Sequence, residues 1–126
     1  MELTINGTVY QFKAGIGFMR KANKTVRQKI EGTSDSYKET GLQYLVAGLI
    51  DGDIEDLITT LDFMNDGMKP RVTKKEIESF IEDPNTNIDL LFEDVLDFLK
   101  NANVSKRICN ELMEKVAEMK AKQQEK

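Results

Sequence analysis

"LVAGLIDGDI", residues 45–54, sets a run of six apolar or small residues directly before two aspartates that flank a glycine. Through this run, Leu42, Leu45, Val46, Leu49 and Ile50 follow the i, i+3, i+4, i+7, i+8 spacing of one buried helical face. Beyond it, Ile54, Leu57, Ile58, Leu61 and Met64 form a second such series, which stops before Gly67. Two amphipathic helices therefore meet at Asp51-Gly52-Asp53. Gly52 suits the left-handed residue that closes the first, and Asp53 suits the N-cap of the second. Ile54 is then the first core residue of the second helix and Asp51 a solvated linker residue. A joint of this kind folds two helices against each other and needs no ligand.

Upstream, "MELTINGTVYQF", residues 1–12, predicts a β-hairpin, because Asn6-Gly7 tolerates the positive φ values of a type I′ turn between two β-rich runs. With a two-residue turn, Met1, Leu3, Ile5, Tyr10 and Phe12 share one face, which needs a helix to cover it. From Ala14 to about Lys29, Ile16, Met19, Val26 and Ile30 recur at helical spacing among Arg20, Lys21, Lys24, Arg27 and Lys29, which predicts a basic amphipathic helix. The polar "EGTSDS", residues 31–36, reads as a mobile loop.

Downstream, Thr73 and Glu76 form a capping box for a short helix carrying Ile77, Phe80 and Ile81, ended by Asp83-Pro84. Asn87 caps the next helix, whose core stripe is Ile88, Leu91, Phe92, Val95 and Leu99 and whose outer face is acidic. Ser105 is placed to cap a last helix bearing Ile108, Leu112, Val116 and Met119, before "KAKQQEK" frays. The expected architecture is mainly α, with a small N-terminal β-hairpin followed by five or six amphipathic helices. We read one domain over 1–126: the hairpin in 1–13, a helical core in 14–104, and a C-terminal helix with a frayed tail in 105–126.

Composition narrows the function. The chain is 40% hydrophobic and 32% charged, the balance of a globular protein. No run is long enough to span a membrane, and the N-terminal stretch lacks the pattern of a targeting segment. With no histidine and a single cysteine, Cys109, the chain cannot build Ser-His-Asp or Cys-His pairs, a zinc site or an internal disulfide. No phosphate-cradling glycine motif follows a strand. Cys109 reads as a small buried hydrophobe, and exposed carboxylate pairs such as Glu55 with Asp56 read as a solvated face. Net charge is −4, distributed as +3 over residues 1–36, −5 over 37–70 and −2 over 71–126. Nucleic-acid binding thus has no global electrostatic support, although the basic helix over 18–30 keeps open an alternative as a small nucleic-acid-associated regulator.

Two motifs point elsewhere and fail on their surroundings. Ala47 to Asp53 resembles the signature of the LAGLIDADG homing endonucleases, in which a strand follows the acidic residue. Here a helical series follows Asp53, and residues 51–66 hold six acidic side chains and no basic one, a surface that repels DNA. In "DPNTNIDLLFED", residues 83–94, five oxygen-bearing residues fit a calcium-loop template, yet the position that demands glycine is Ile88 and the final bidentate Glu is Asp94. No metal, cofactor or catalytic constellation is expected. The chain reads as a non-enzymatic binding or assembly protein.

Three stretches in order carry a more specific likeness. "MELTINGTVYQFKAGIGFMRKANK" resembles the opening of the tail assembly chaperones of long-tailed phages and prophages of Gram-positive bacteria, with a hairpin around "NG" and then a basic helix. "GLQYLVAGLIDGDIEDLITTL" resembles that family's middle helices, and "PRVTKKEIESFIEDPNTNIDLLFEDVLDFLKNAN" its third part. The likeness covers about residues 1–104. It implies the short product of a paired tail gene, acting as a homo-oligomer in the host cytoplasm and absent from the mature virion. The implied partners are the tape measure protein, the major tail tube protein and a frameshifted long form of the chain itself; no membrane or nucleic acid is implied. Adaptable methionines and amphipathic helices suit such contacts. On this reading the final helix, through Leu112, Met113, Val116 and Met119, and the basic helix, through Phe18, are the expected partner contacts.

Overall fold

The computed structural model describes residues 1–32 and 36–124. Strands β1 (Glu2–Ile5) and β2 (Thr8–Gln11) pair antiparallel with Ile5 opposite Thr8 and Leu3 opposite Tyr10, the register expected for a two-residue turn. Asn6 and Gly7 take φ of 51° and 78°, the left-handed values of a type I′ turn. Ile5, Tyr10 and Phe12 are buried, and Met1 and Leu3 pack partly against the same core.

Helix α1 (Ile16–Asn23) is shorter than its sequence suggests. Thr25 ends it: its backbone N–H and its hydroxyl both donate to the Ala22 carbonyl, while the Asn23 side chain accepts from the Leu42 N–H. The β-branched Thr25-Val26 pair then leads into strand β3 (Arg27–Lys29), which pairs with β4 (Tyr37–Glu39). The expected helix over 14–29 is thus half helix and half ribbon. Its buried face is Phe18 and Ala22, whereas Ile16 and Ile30 are exposed. Of the expected loop at 31–36, residues 33–35 lie outside the described residues.

Helices α2 (Gly41–Ile50) and α3 (Ile54–Asn65) meet where expected. Gly52 has φ of 76° and donates to the Leu49 carbonyl, and the Asp53 N–H donates to Gly48, the paired bonds of a Schellman cap. The Asp53 side chain then accepts from the Asp56 N–H at 3.0 Å. Leu42, Leu45, Val46 and Leu49 face Leu57, Ile58, Leu61 and Met64 across the core. Ile54 departs from expectation at 41% exposed, because the N-cap turn carries the first helical residue outside the packed face. Gly52→Ala and Asp53→Ala are each expected to lose about 1 kcal/mol, the first by left-handed strain and the second by loss of the cap. Chemical denaturation of both variants measures this.

The capping box of α4 (Lys74–Glu82) forms as predicted. Asn87 caps α5 (Ile88–Asn101) by accepting from the Leu90 N–H, with Leu91, Val95 and Leu99 buried. Ser105 does not cap the last helix with its side chain. Its hydroxyl donates instead to the Leu99 carbonyl at the end of α5, tightening the turn into α6 (Lys106–Gln124). That last helix continues past Met119 to Gln124, further than the polar tail suggests. It packs against α2 and α5. The hairpin is tied to the helices through Tyr10, whose hydroxyl donates to Glu76 at 3.0 Å, and through Lys13, whose N–H donates to the Met64 carbonyl.

Candidate partner-binding surface

On α6 an apolar face loses its cover along its length. Cys109 is fully buried, Ile108 and Leu112 are partly buried against the core, and Val116 is half-buried. Met119 lies on the same side of the helix at 63% exposed. At 100° per residue Leu112, Val116 and Met119 fall within about 60° of arc, so Met119 is uncovered because the helix outruns α2 and α5. The four residues expected on α6 are therefore graded rather than clustered. Leu112 lines a recess of about 250 Å³ with Tyr44, Ala47 and Gln43 of α2 and Gln28 of β3. Met113 turns the other way, into a shallower recess with Glu93, Leu96 and Asp97 of α5.

Phe18, expected as a partner contact, lines the floor of a recess beside Ile16. Its ring is 4% exposed and packs in the core, whereas Ile16 is 56% exposed. A helix continuing to Lys29 would set Ile16 on a stripe with Met19, Val26 and Ile30; α1 ends at Asn23, and its buried residues are Phe18 and Ala22. Ile16 and Phe63 line a recess of about 300 Å³ with Gly17, Asp66 and Met68. Two of these lining residues also meet Lys21, which pairs with Asp66 at 2.9 Å and lies 5.2 Å from the Phe63 ring. The Lys21 ammonium, as hydrogen-bond donor and as neighbouring charge, holds the Asp66 carboxyl below the usual carboxylate range.

Tyr44 was missed. It stands two residues beyond Leu42, off the apolar stripe, and is 51% exposed beside Leu112. An aromatic just outside a buried stripe is the only signal the sequence holds for it.

The chemistry-bearing groups are accounted for structurally. Burial pushes the Cys109 thiol up to about 11, so it is no thiolate nucleophile at neutral pH. Asp56 is less solvated than expected: burial, then the nearby Asp53 and Glu55, raise its pKa, and its carboxyl occupies the space a side chain at Gly48 would need. After Asp53 the chain is helical, the opposite of the strand that a nuclease of the LAGLIDADG type requires. Ile88 to Asp94 is likewise helical, so the second half of the calcium template is spent on α5, while Asp83 accepts from the Asn85 N–H. Among the described residues no group of three or more His, Cys, Asp or Glu side chains is placed to hold a metal ion. No helix among them is long and apolar enough to cross a membrane.

A family model described as phage tail assembly chaperone protein, TAC, matches residues 2–114. The chain belongs to the phage tail assembly chaperone family. The match starts in β1 of this chaperone and ends inside α6, so Val116 and Met119 lie just past it. No curated protein and no solved structure matches the chain.

Proposed function

We propose that this chaperone binds the tape measure protein in several copies and helps recruit tail tube subunits, in the cytoplasm of the bacterial host, without enzymatic activity and without entering the finished virion. The observation that carries the reading is the apolar face of α6, which runs from the buried Cys109 to Met119 at 63% exposed. The outer end of that face, with Tyr44 and Leu112 at its base, suits an apolar helical stripe on a long partner. Methionine at the tip adapts to a changing series of side chains along such a partner. A longer frameshifted form would continue from this same end of the chain, and the nucleotide sequence of the gene tests for its slippage site.

The second reading, a small nucleic-acid-associated regulator, would use a basic segment divided between α1 and β3 rather than one basic helix over 18–30. The test of the chaperone reading is co-expression with the tape measure protein. Deleting all of α6 would strip Cys109 and Leu112 from the core, so the variant of choice is the double substitution Val116→Lys and Met119→Lys. We expect the wild-type chain to keep the tape measure protein soluble and to co-purify with it, and the double variant to lose most of that capture with its melting temperature within a few degrees of wild type. Undiminished capture by the folded double variant would contradict the assignment.

A further inference from the structure

Thr25 ends α1, and the chain passes at once into the ribbon β3–β4, which brings the basic residues of both elements onto one surface. Arg20 and Lys24, one turn apart on α1, line a recess with Asn23 and with Glu39 of β4. In the ribbon register Arg27 lies opposite Glu39 and Lys29 opposite Tyr37, so these four side chains stand on one face. Glu39 belongs to both groups and joins them. Arg20, Lys24, Arg27 and Lys29 are all exposed. The ion pairs within the chain involve Lys21, Asp62, Asp66 and Arg71, so none of these four cations takes part in one among the described residues.

Tyr37 stands on the same face at 54% exposed, with the Arg27 guanidinium over its ring at 5.1 Å. A guanidinium in that position keeps its fork of N–H donors at the edge of the ring, where a carboxylate accepts two parallel bonds. The uncovered part of the ring offers apolar contact beside it. All three residues of each strand are exposed, and the ribbon has no third strand. A two-stranded ribbon of this kind is marginally stable alone, so a segment laid across its face supplies contacts that the chain itself does not.

We infer that this face is the docking site for an acidic segment of another protein, one that carries several carboxylates around a single apolar side chain. The carboxylates meet Arg20, Lys24, Arg27 and Lys29, and the apolar side chain meets the ring of Tyr37. A peptide fits the face better than a nucleic acid does. The patch is short, two strands of three residues and one helix face, and Glu39 interrupts it. A strand of phosphates running on beyond it meets a chain of net charge −4. Arg27 also lies over the Tyr37 ring and so competes with a base for stacking there. Exposed charges with a small apolar centre make the contact weak and sensitive to salt. The inference goes beyond the reading of α6 and does not rest on it, because the two sites share no residue and the test contains no tail protein.

The test is fluorescence anisotropy of a short labelled peptide, in which aspartates and glutamates flank one leucine, titrated with the full chain. Binding is expected at low salt and is expected to weaken about tenfold or more at 500 mM salt. Exchanging the leucine for serine in the peptide should weaken it several-fold, because the contact with Tyr37 is lost. Two variants address the surface, Arg27→Glu with Lys29→Glu on the ribbon and Arg20→Gln with Lys24→Gln on α1. All four positions are exposed, and circular dichroism verifies each fold. The first variant is expected to abolish binding and the second, which leaves the ribbon untouched, to weaken it about threefold or more. Val116→Lys with Met119→Lys on α6 should bind as the wild type does. No binding of the peptide at low salt, or equal binding by either folded basic-face variant, would overturn the inference. So would loss of binding in the α6 variant, or tighter binding of a single-stranded oligouridylate of the same charge than of the peptide.

Discussion

Replacing Asn65 with alanine is expected to destabilise the chain by about 3 kcal/mol, lowering the melting temperature by roughly 10 °C. Asn65 is fully buried at the end of α3 and acts as a four-way polar joint. Its Nδ2 donates to the Gln11 carbonyl at 2.9 Å and to the Pro70 carbonyl at 3.4 Å. Its Oδ1 accepts from the Val72 N–H at 2.7 Å and from Arg71 at 3.0 Å. One side chain thus fixes the end of the hairpin, the end of α3 and the segment leading to α4. Alanine leaves the buried Val72 N–H without its acceptor and the Gln11 carbonyl without this donor, and an unsatisfied buried group costs on the order of 1–3 kcal/mol. Arg71 would lose part of its anchorage as well, although its bond to Asp62 at 2.9 Å remains. Thermal and urea unfolding measure the effect, and a loss below 1 kcal/mol would show that water replaces the asparagine without penalty.

Glycine-to-alanine substitutions at positions 41 and 17 are expected to act in opposite directions. A Cβ at Gly41 would sit 1.9 Å from the Ala22 carbonyl oxygen and 2.3 Å from the Thr25 hydroxyl. The first obstacle is backbone and cannot rotate away, and Ala22 is held in place by the bonds it accepts from Thr25. Gly41→Ala must push α1 from α2 and is expected to lose about 3 kcal/mol. At Gly17, within α1, an added Cβ meets nothing within 4 Å. Gly17→Ala should therefore stabilise the chain by about 0.5–1 kcal/mol through helix propensity. Equal effects from the two substitutions, read by denaturant titration, would contradict the close approach of α1 and α2.

These two sites mark where the sequence was readable and where it was not. Local signals were sufficient wherever the relevant residues lie within a turn or two of one another. The type I′ turn at Asn6-Gly7, the Schellman cap at Gly52, the Asp53 and Asn87 caps and the Thr73–Glu76 box all formed as read. Non-local constraints were not readable. Nothing near Gly41 announces that the Ala22 carbonyl lies against it, and Asn65 joins residues up to 54 positions away. The over-long first helix has a similar cause. Lys24 to Lys29 satisfied helical spacing, but Thr25 and Asn23 divert their side chains to helix termini, and the β-branched pair tips the balance to a strand. For the candidate surface, the residues of α6 could be named from periodicity, but not which of them the core consumes. That depends on how far α2 and α5 extend beside the helix, so Leu112 and Met119 looked alike in sequence and differ in structure.

The central claim is that the outer half of α6 is the chaperone's grip on its partner. Hydrogen–deuterium exchange of the chain with and without the tape measure protein tests it most directly. The account predicts that binding slows exchange over residues 112–124, with smaller changes around Tyr44 and little in α3 or α4. Protection confined to the hairpin or to α3–α4, with α6 exchanging as in the free chain, would contradict it.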